Sequence, residues 1–333
     1  MSQQLLPSKP NWRHQLQQAI NTPEALLEAL ALPPELLKGA QEGHQQFRIR
    51  VPHAFVERME RGNTADPLLR QVLPLKDEAH SPDYYLSDPV GDLASSKVPG
   101  LLHKYQGRVL LIATGACAIN CRYCFRREFP YSGQSAASAQ FGPALDYIAQ
   151  HADIHEVILS GGDPLLLRTR QLRQLSEQLA QIPHIRRLRI HTRLPIVLPD
   201  RITDDLLAWT QQLPWPLAVV VHCNHAQELD AATVNALQRW RHAGAHMLNQ
   251  SVLLKGVNDS APAQSNLAQA LYQAGVLPYY LHLLDRVKGS AHFEVNSTQA
   301  QVIMEQLRLQ LSGYLVPRLV REQAGAPYKL PVL

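Results

Sequence analysis

The chain has 333 residues, which is enough for about two average domains or for one large α/β barrel. Hydrophobic residues make up 45% and charged residues 18%, so the chain can bury a sizeable core and wholesale disorder is excluded. A net charge of +4 is too small to indicate a nucleic-acid-binding protein without a local basic patch. No apolar run approaches the ~20 residues of a membrane span and the start lacks a signal-peptide core, so we expect a cytoplasmic protein.

Residues 1–100 have the pattern of helices and loops. Apolar residues recur with helical spacing over 23–32, and Pro33-Pro34 ends that helix. A polar, proline-bearing stretch from about Asp77 to Pro99 predicts a connector or a wrapping segment. We therefore predict an N-terminal helical and wrapping segment over 1–100.

From residue 108 onward, short apolar runs alternate with helical patterns. The predicted strands are 109–113, 156–160, 187–191, 217–222, 246–254 and 278–284. The predicted helices lie near 142–151, 170–181, 203–212, 231–243 and 263–274. Such alternation is typical of βα units around a parallel sheet. Because six units are two short of a closed eight-unit barrel, we predict an α/β fold with an open six-stranded partial (β/α)6 barrel over 101–290. A doubly wound sheet is the alternative.

Polar segments follow the ends of these predicted strands. TGACAINCRYC follows the first strand, GGDP the second, TRLP the third and CNH the fourth, and Asp285 comes after the last. Since the carboxyl ends of parallel strands meet at one edge of the sheet, we expect a functional site there. Residues 291–333 are predicted to form a short C-terminal segment.

Three of the four cysteines, Cys117, Cys121 and Cys124, lie within eight residues just after the first predicted strand. A structural zinc site usually takes four ligands in two pairs, and no second cysteine pair exists here. Three thiolates suit an iron–sulfur cube that keeps one iron open to another ligand. The alternatives are three ordinary core cysteines or a zinc knuckle completed by one of the 15 histidines. Cys223 is predicted to be a packing residue at a strand end.

Basic residues surround the cysteine motif. Arg122, Arg126 and Arg127 are expected to favour the thiolate form over the thiol.

The segment CAINCRYC, with an aromatic residue before its last cysteine, resembles the cluster motif of radical S-adenosylmethionine (SAM) enzymes. CRYCFRREF, LSGGDPLLL, RIHTRLPIVLPDRI, NQSVLLKGVND and SGYLVPRLV further resemble segments of lysine 2,3-aminomutases, and the matches run from about Asp88 to Lys329. The resemblance implies a [4Fe-4S] cluster, SAM and pyridoxal 5′-phosphate (PLP) as cofactors. It also implies that a SAM-derived radical acts on a PLP-bound amino acid.

The resemblance assigns PLP to the C-terminal segment. Lys329 matches the lysine that holds PLP covalently and is the predicted catalytic residue, although its loop has only Gly325 where the family has a glycine run. Without the resemblance, a lysine near a chain end is usually solvated. Lys104 and Arg108 are the candidates for binding the PLP phosphate, and a solvated basic rim is their alternative.

The resemblance places SAM at the ends of the middle strands. Glycines there let the backbone approach a ligand closely, whereas a plain turn is the other interpretation. The SAM candidates are Ser160, Gly161, Gly162, Asp163, Arg193, His222 and Gln250.

For an amino-acid substrate, the resemblance nominates one cation and two anions. Arg126 matches the arginine that binds the substrate carboxylate, and charge compensation of the cluster is its alternative role. Asp285 matches one of two aspartates that bind the distal ammonium, and Glu322 stands where the second would be. The charge is kept, so lysine remains the expected substrate, although both acids could equally be surface residues.

The function implied is conversion of L-lysine to β-lysine by an isomerase. The short form of the family supplies β-lysine for modification of translation elongation factor P, so a functional link to that factor and its lysyl ligase is expected. A flavodoxin or ferredoxin would donate electrons. Longer members carry zinc-binding cysteines in a C-terminal extension, and no such zinc site is expected here. The alternatives are the same chemistry on arginine or glutamate, or an iron–sulfur sensor without turnover; Asp285 and Glu322 would repel glutamate.

Overall fold

The computed structural model describes residues 11–133, 136 and 141–333 of the chain. Ten β-strands in these residues form one sheet whose spatial order follows chain order. The strands are β1 (Ser96–Val98), β2 (Leu101–Tyr105), β3 (Arg108–Thr114), β4 (Glu156–Gly161), β5 (Arg187–Thr192), β6 (Leu217–His222), β7 (His246–Val252), β8 (Leu277–His282), β9 (Arg318–Arg321) and β10 (Leu330–Pro331).

Helices precede the sheet and connect its parallel strands. They are α1 (Trp12–Gln17), α2 (Pro23–Leu30), α3 (Leu36–Gln46), α4 (His53–Val56), α5 (Pro67–Arg70), α6 (Gly142–Gln150), α7 (Thr169–Leu179), α8 (Leu194–Val197), α9 (Asp204–Gln211), α10 (Ala231–His242), α11 (Ala261–Gln273) and α12 (Ser297–Gln310). In the described ranges, none of these helices is long and apolar enough to cross a membrane.

The sheet is open, as the sequence predicts. Strands β3 to β8 are parallel and pair in succession, and their bounds match the six predicted strands to within two residues. Four strands extend this core: β9 adds a parallel strand beside β8, whereas β1, β2 and β10 pair antiparallel with their neighbours. The sheet therefore begins before residue 101 and continues past residue 290.

Side-chain caps and buried tryptophans fix the helices around the sheet. Asp230 caps α10 by accepting the Thr233 N–H at 2.8 Å, which satisfies an amide that the helix cannot pair itself. Trp209 and Trp240 are almost completely buried, and their indole N–H groups donate to Ser176 and Thr210 at 3.0 and 2.9 Å. Burying these rings without an unpaired donor packs α7, α9 and α10 together.

The N-terminal helices share one hydrophobic core with the βα units and pack against the loops at the strand ends. Arg58 donates to the carbonyl oxygen of Ile196 at 2.7 Å and to that of Glu228. Asn120, within the cysteine motif, donates from its backbone to Arg50 at 3.0 Å and from its side chain to Arg48 at 2.9 Å. Residues 11–70 therefore support the side of the sheet where the polar loops lie.

Candidate active site

One cavity of about 1190 Å³ is lined by residues at the carboxyl ends of the parallel strands, among them Ser160, Thr192, His222 and His282. Every site residue nominated from the sequence lines it. A typical small-molecule pocket measures roughly 300–1,000 Å³, so this cavity has room for more than one ligand.

The glycine pair after β4 lies directly against the cysteine loop. Gly161 has φ +120°, and a Cβ atom on Gly162 would lie 2.1 Å from the carbonyl oxygen of Ala116. The N–H of Gly162 donates to Thr114 at 2.7 Å, and that of Asp163 donates to Ala116 at 2.8 Å. The glycines are therefore required for the close packing of the cysteine loop on β4, in addition to any ligand approach.

The three cysteines of the motif line the cavity, and burial disfavours the thiolate form of Cys117 and Cys124. Burial, together with repulsion from neighbouring thiolates, raises the pKa of Cys117 well above its ordinary value and that of Cys124 to about 11. Arg126 lowers the pKa of Cys124, but by less than burial raises it. Arg127 lowers it as well, so these basic neighbours act in the expected direction but are outweighed by burial. Iron binding itself must therefore displace the thiol protons.

The guanidinium of Arg122 is engaged by a carboxylate outside the motif. It is completely buried in an ion pair with Glu78, with Nη2 and Nε at 2.5 and 2.8 Å from the carboxylate oxygens. Arg127 pairs with the same carboxylate at 2.8 Å. Both guanidinium groups thus tie the cysteine loop to the wrapping segment.

The alternative metal site is a zinc knuckle in which a histidine completes the three cysteines. Among the described residues, no histidine joins the motif cysteines in a group that could hold a single metal ion such as zinc. Cys223 is completely buried, and its N–H donates to the side chain of Asn249 at 2.9 Å. This is the packing environment expected for Cys223.

Two SAM candidates use their polar groups within the protein. Asp163 accepts hydrogen bonds from the hydroxyl of Thr192 and from the backbone N–H groups of Leu165, Arg193 and Leu194 at 2.7–3.0 Å. This carboxylate thus holds the turn after β5 in place. The guanidinium of Arg193 likewise donates to protein atoms from both terminal nitrogens.

His222 and Gln250 face the cavity from neighbouring strands and are register partners in the pairing of β6 with β7. The His222 ring stacks on Tyr123 at 5.7 Å between centroids, and its Nε2 lies 2.9 Å from the tyrosine hydroxyl. Burial and the nearby Arg193 cation lower the pKa of His222 well below its ordinary value. The imidazole is therefore neutral at physiological pH.

At the other end of the cavity, ion pairs connect the predicted PLP and substrate residues. Lys329 contacts Glu322, whose second oxygen lies 3.2 Å from the ammonium of Lys104. Lys104 also lies 2.6 Å from Asp92 and donates to the carbonyl oxygen of Val90 at 2.8 Å. An ammonium has three N–H donors, so Lys104 is fully engaged by these groups.

Arg126 is held by the same aspartate. Its Nε donates to Asp92 at 2.6 Å and its Nη1 to Ser160 at 3.3 Å. Its Nη2 has no partner among the described residues, so part of the guanidinium is left to receive a ligand oxygen.

The pKa values of the two predicted ammonium-binding acids are shifted in opposite directions. Burial and repulsion from Glu322 raise the pKa of Asp285 to about 7, although Lys329 and Lys104 oppose the shift. Burial also acts on Glu322, but Lys329 and Lys104 outweigh it and hold its pKa well below its ordinary value. The charge of Glu322 is thus paired within the protein, whereas Asp285 forms no ion pair with the described residues.

Sequence reasoning missed several residues of the cavity wall. They are Asp92, Tyr123, His191, Tyr280 and His282. The two-residue period of a strand is the signal that could have found His191, because it lies on the same face as Arg189 and Arg193. Its Nε2 is buried without a partner among the described residues.

The chain is similar to several known proteins. A family model described as a 4Fe-4S single cluster domain matches residues 106–187. The chain is 47% identical over 328 residues to an L-lysine 2,3-aminomutase of Escherichia coli (strain K12), covering 98% of this chain and 95% of that protein. It is 44% identical over 331 residues to the L-lysine 2,3-aminomutase of Haemophilus influenzae, covering 98% of both. A radical SAM methyltransferase from Sphaerobacter thermophilus is similar with TM-score 0.43 and 16% identity, over 66% of this chain and 68% of that chain.

Proposed function

Because the chain belongs to the L-lysine 2,3-aminomutase family, it is an isomerase, and we propose that it converts L-lysine to β-lysine with a 4Fe-4S cluster, SAM and PLP. The observation that supports this best is that one cavity is lined by the three cysteines, by Lys329 and by two carboxylates. When bound, the cluster and SAM supply one-electron chemistry that yields a carbon radical, and PLP supplies a carbonyl for the substrate nitrogen.

Cys117, Cys121 and Cys124 hold the cluster in this proposal. Three sulfur donors leave one iron open, which suits a chelating ligand better than a fourth protein thiolate would. The glycines at 161 and 162, with Ser160, bring backbone close to that open position. His222 and Gln250 contribute neutral polar groups on the same side.

Lys329 holds PLP, and Arg108 is the stronger phosphate candidate. The Arg108 guanidinium lies over the ring of Tyr105 at 4.7 Å and forms no hydrogen bond or ion pair with the described residues, so its donors are available. Lys104 has its donors engaged by Asp92, Glu322 and Val90. We assign Lys104 the role of positioning these carboxylates.

Arg126 and Asp285 recognise the two ends of the substrate. Asp92 fixes the Nε edge of Arg126, so the Nη2 group is already oriented to donate to the α-carboxylate. Asp285 is buried and short of a cation, which suits the distal ammonium of lysine. Glu322 adds a second carboxylate there once Lys329 is engaged by PLP.

The finer assignments of partners follow from the family resemblance. A cluster that must be reduced requires an external donor, and a flavodoxin or ferredoxin is proposed. β-Lysine would serve the modification of elongation factor P by its lysyl ligase. The cytoplasm, which keeps thiols reduced, is the proposed compartment.

Anaerobic reconstitution tests the reaction. The protein is supplied with iron, sulfide and PLP, then given SAM, dithionite and lysine, arginine or glutamate in separate reactions, and products are identified by mass spectrometry. β-Lysine as the main product is expected. A β-amino acid from arginine or glutamate alone would replace lysine as the substrate, and iron–sulfur absorption without PLP or turnover would favour the sensor.

A further inference from the structure

Arg193 lies where it can act on the cluster through one of the cysteines. Its Nη1 donates to the sulfur of Cys121 at 2.7 Å and to the hydroxyl of Tyr123 at 2.7 Å. Its Nη2 donates to Gln71 at 2.6 Å and to Glu228 at 3.0 Å. We propose that Arg193 is a positioning residue that raises the reduction potential of the 4Fe-4S cluster by donating a charged hydrogen bond to the Cys121 ligand.

This assignment differs from the SAM contact that the sequence suggests for Arg193. The two terminal nitrogens of a guanidinium carry four N–H donors, and each of the four protein partners takes one of them. Nε is buried and unpartnered among the described residues, and its atom is closed off from the cavity surface. The guanidinium is therefore committed to the protein behind the cysteine loop.

The surroundings keep the cation fixed beside the sulfur. Arg193 is 7% exposed, whereas Gln71 and Glu228 are completely buried. Phe55 of α4 lies 5.4 Å from the guanidinium carbon and closes the other side. Because Gln71 and Phe55 come from the N-terminal segment, that segment acquires a role in the site.

The direction of the effect follows from charge. One electron from a reductant makes the cluster more negative by one unit, with no bond made or broken. A positive donor at a ligating sulfur stabilises that reduced form more than the oxidised form. The ion pair of Arg193 with Glu228 has no net charge. However, the Glu228 carboxylate binds Nη2 and not the Nη1 group that faces the sulfur, so the positive end of the pair points to the cluster.

The experiment measures the midpoint potential of the cluster without SAM or substrate, by titration with dithionite followed by electron paramagnetic resonance. We expect a more negative potential in Arg193→Met, because the cationic donor is lost. We expect a more positive potential in Glu228→Gln, because a negative charge is removed while the arginine stays. Opposite shifts distinguish electrostatic control from a general disturbance of the loop.

Arg201→Met is the matched control. Arg201 is another buried arginine, and it donates to the carbonyl oxygens of Leu165 and Leu167 at 2.7 and 3.2 Å. Its variant should keep the wild-type potential. Arg193→Lys keeps the charge with fewer donors, and its potential should lie between those of wild type and Arg193→Met.

An unchanged potential in Arg193→Met with full iron content overturns the inference, as do shifts of the same sign in Arg193→Met and Glu228→Gln. If Arg193→Met binds no iron, Glu228→Gln decides, and an unchanged potential there counts against the inference. The inference rests on the proposed cluster ligands, but the two fail differently: wild-type protein without iron or a cluster signal refutes the ligands themselves.

Discussion

Around the cysteine loop, charged side chains form fully buried ion pairs, whereas around Lys329 the paired charges remain partly exposed. The side chains of Arg122 and Glu78 are both 0% exposed. Those of Lys329 and Glu322 are 21% and 13% exposed, and the Glu322 carboxylate contacts both Lys329 and Lys104. Removing one partner of a fully buried pair costs about 3–5 kcal/mol, so the cysteine end is rigidly specified.

The difference corresponds to two kinds of ligand. A cluster that stays bound needs a loop that does not move, and the contact of Gly162 with Ala116 provides it. A substrate that comes and goes needs charges that can change partners. Shared pairs around Glu322 allow the ammonium of Lys329 to be replaced by that of a substrate.

Replacing a cluster cysteine should have the largest effect. Cys124→Ala is expected to lose the iron–sulfur absorption near 400 nm and all aminomutase activity, since two thiolates hold the cube poorly. Iron analysis and visible absorption measure this. Cys223→Ala is the matched control and should keep its iron, because Cys223 packs behind β6. Equal iron loss in both variants would contradict the assignment.

Lys329→Ala should abolish PLP binding without affecting the cluster. We expect loss of the PLP absorption band and of activity, with iron content unchanged, because Lys329 pairs with Glu322 and contacts no cysteine among the described residues. Lys255→Ala, at an exposed lysine, should keep both cofactors. A PLP band that survives in Lys329→Ala would show that another amine holds the cofactor.

The sequence was sufficient to predict the six βα units, because short runs rich in apolar or β-branched residues alternate regularly with helical patterns. It did not reveal β2 or β9, since Leu101–Tyr105 and Arg318–Arg321 mix charged and apolar residues at the margins of the sheet. The two-residue strand β10 has no pattern at all. Short marginal strands are determined by the neighbour they pair with and not by their own residues.

The site residues divide in the same way. Those within motifs, such as Cys121 and Lys329, could be nominated from the chain alone. Asp92 and Gln71 could not, because each contacts a residue more than thirty positions away in the chain: Arg126 for Asp92 and Arg193 for Gln71. Only the fold brings such positions together, and local spacing contains no signal for them.

Changing Glu322 should weaken substrate binding without affecting the cluster. A hydrogen bond to a charged group contributes about 1.5–3 kcal/mol, so the KM for lysine is expected to rise about 10-fold to 100-fold in Glu322→Gln. Glu322→Asp keeps the charge and should have a smaller effect. Steady-state kinetics with saturating SAM measure both. An unchanged KM in Glu322→Gln would remove this carboxylate from the ammonium site.

Asp92 connects the wrapping segment to the substrate residues. Replacing it should have a smaller effect than replacing Glu322. Asp92→Asn removes the charge that holds Arg126 and Lys104, so we expect the KM for lysine to rise about tenfold with a smaller change in kcat. Asp205→Asn, at an exposed carboxylate 3.7 Å from Arg173, is the control and should match wild type. A fall in kcat at constant KM would instead place Asp92 in the chemical step.

The smallest expected effect is the pH dependence of lysine binding at Asp285. Burial raises the pKa of this carboxyl to about 7, so it is protonated below that pH and carries its charge above it. Because only the ionised form attracts an ammonium, lysine affinity should rise by about tenfold in total between pH 6 and pH 8 and level off above pH 8. Lysine-induced changes in the PLP absorption band between pH 6 and 8.5 measure this without turnover. Asp285→Asn should bind lysine more weakly and show no such slope; the same slope in that variant would assign the titration to another group at the Lys329 end.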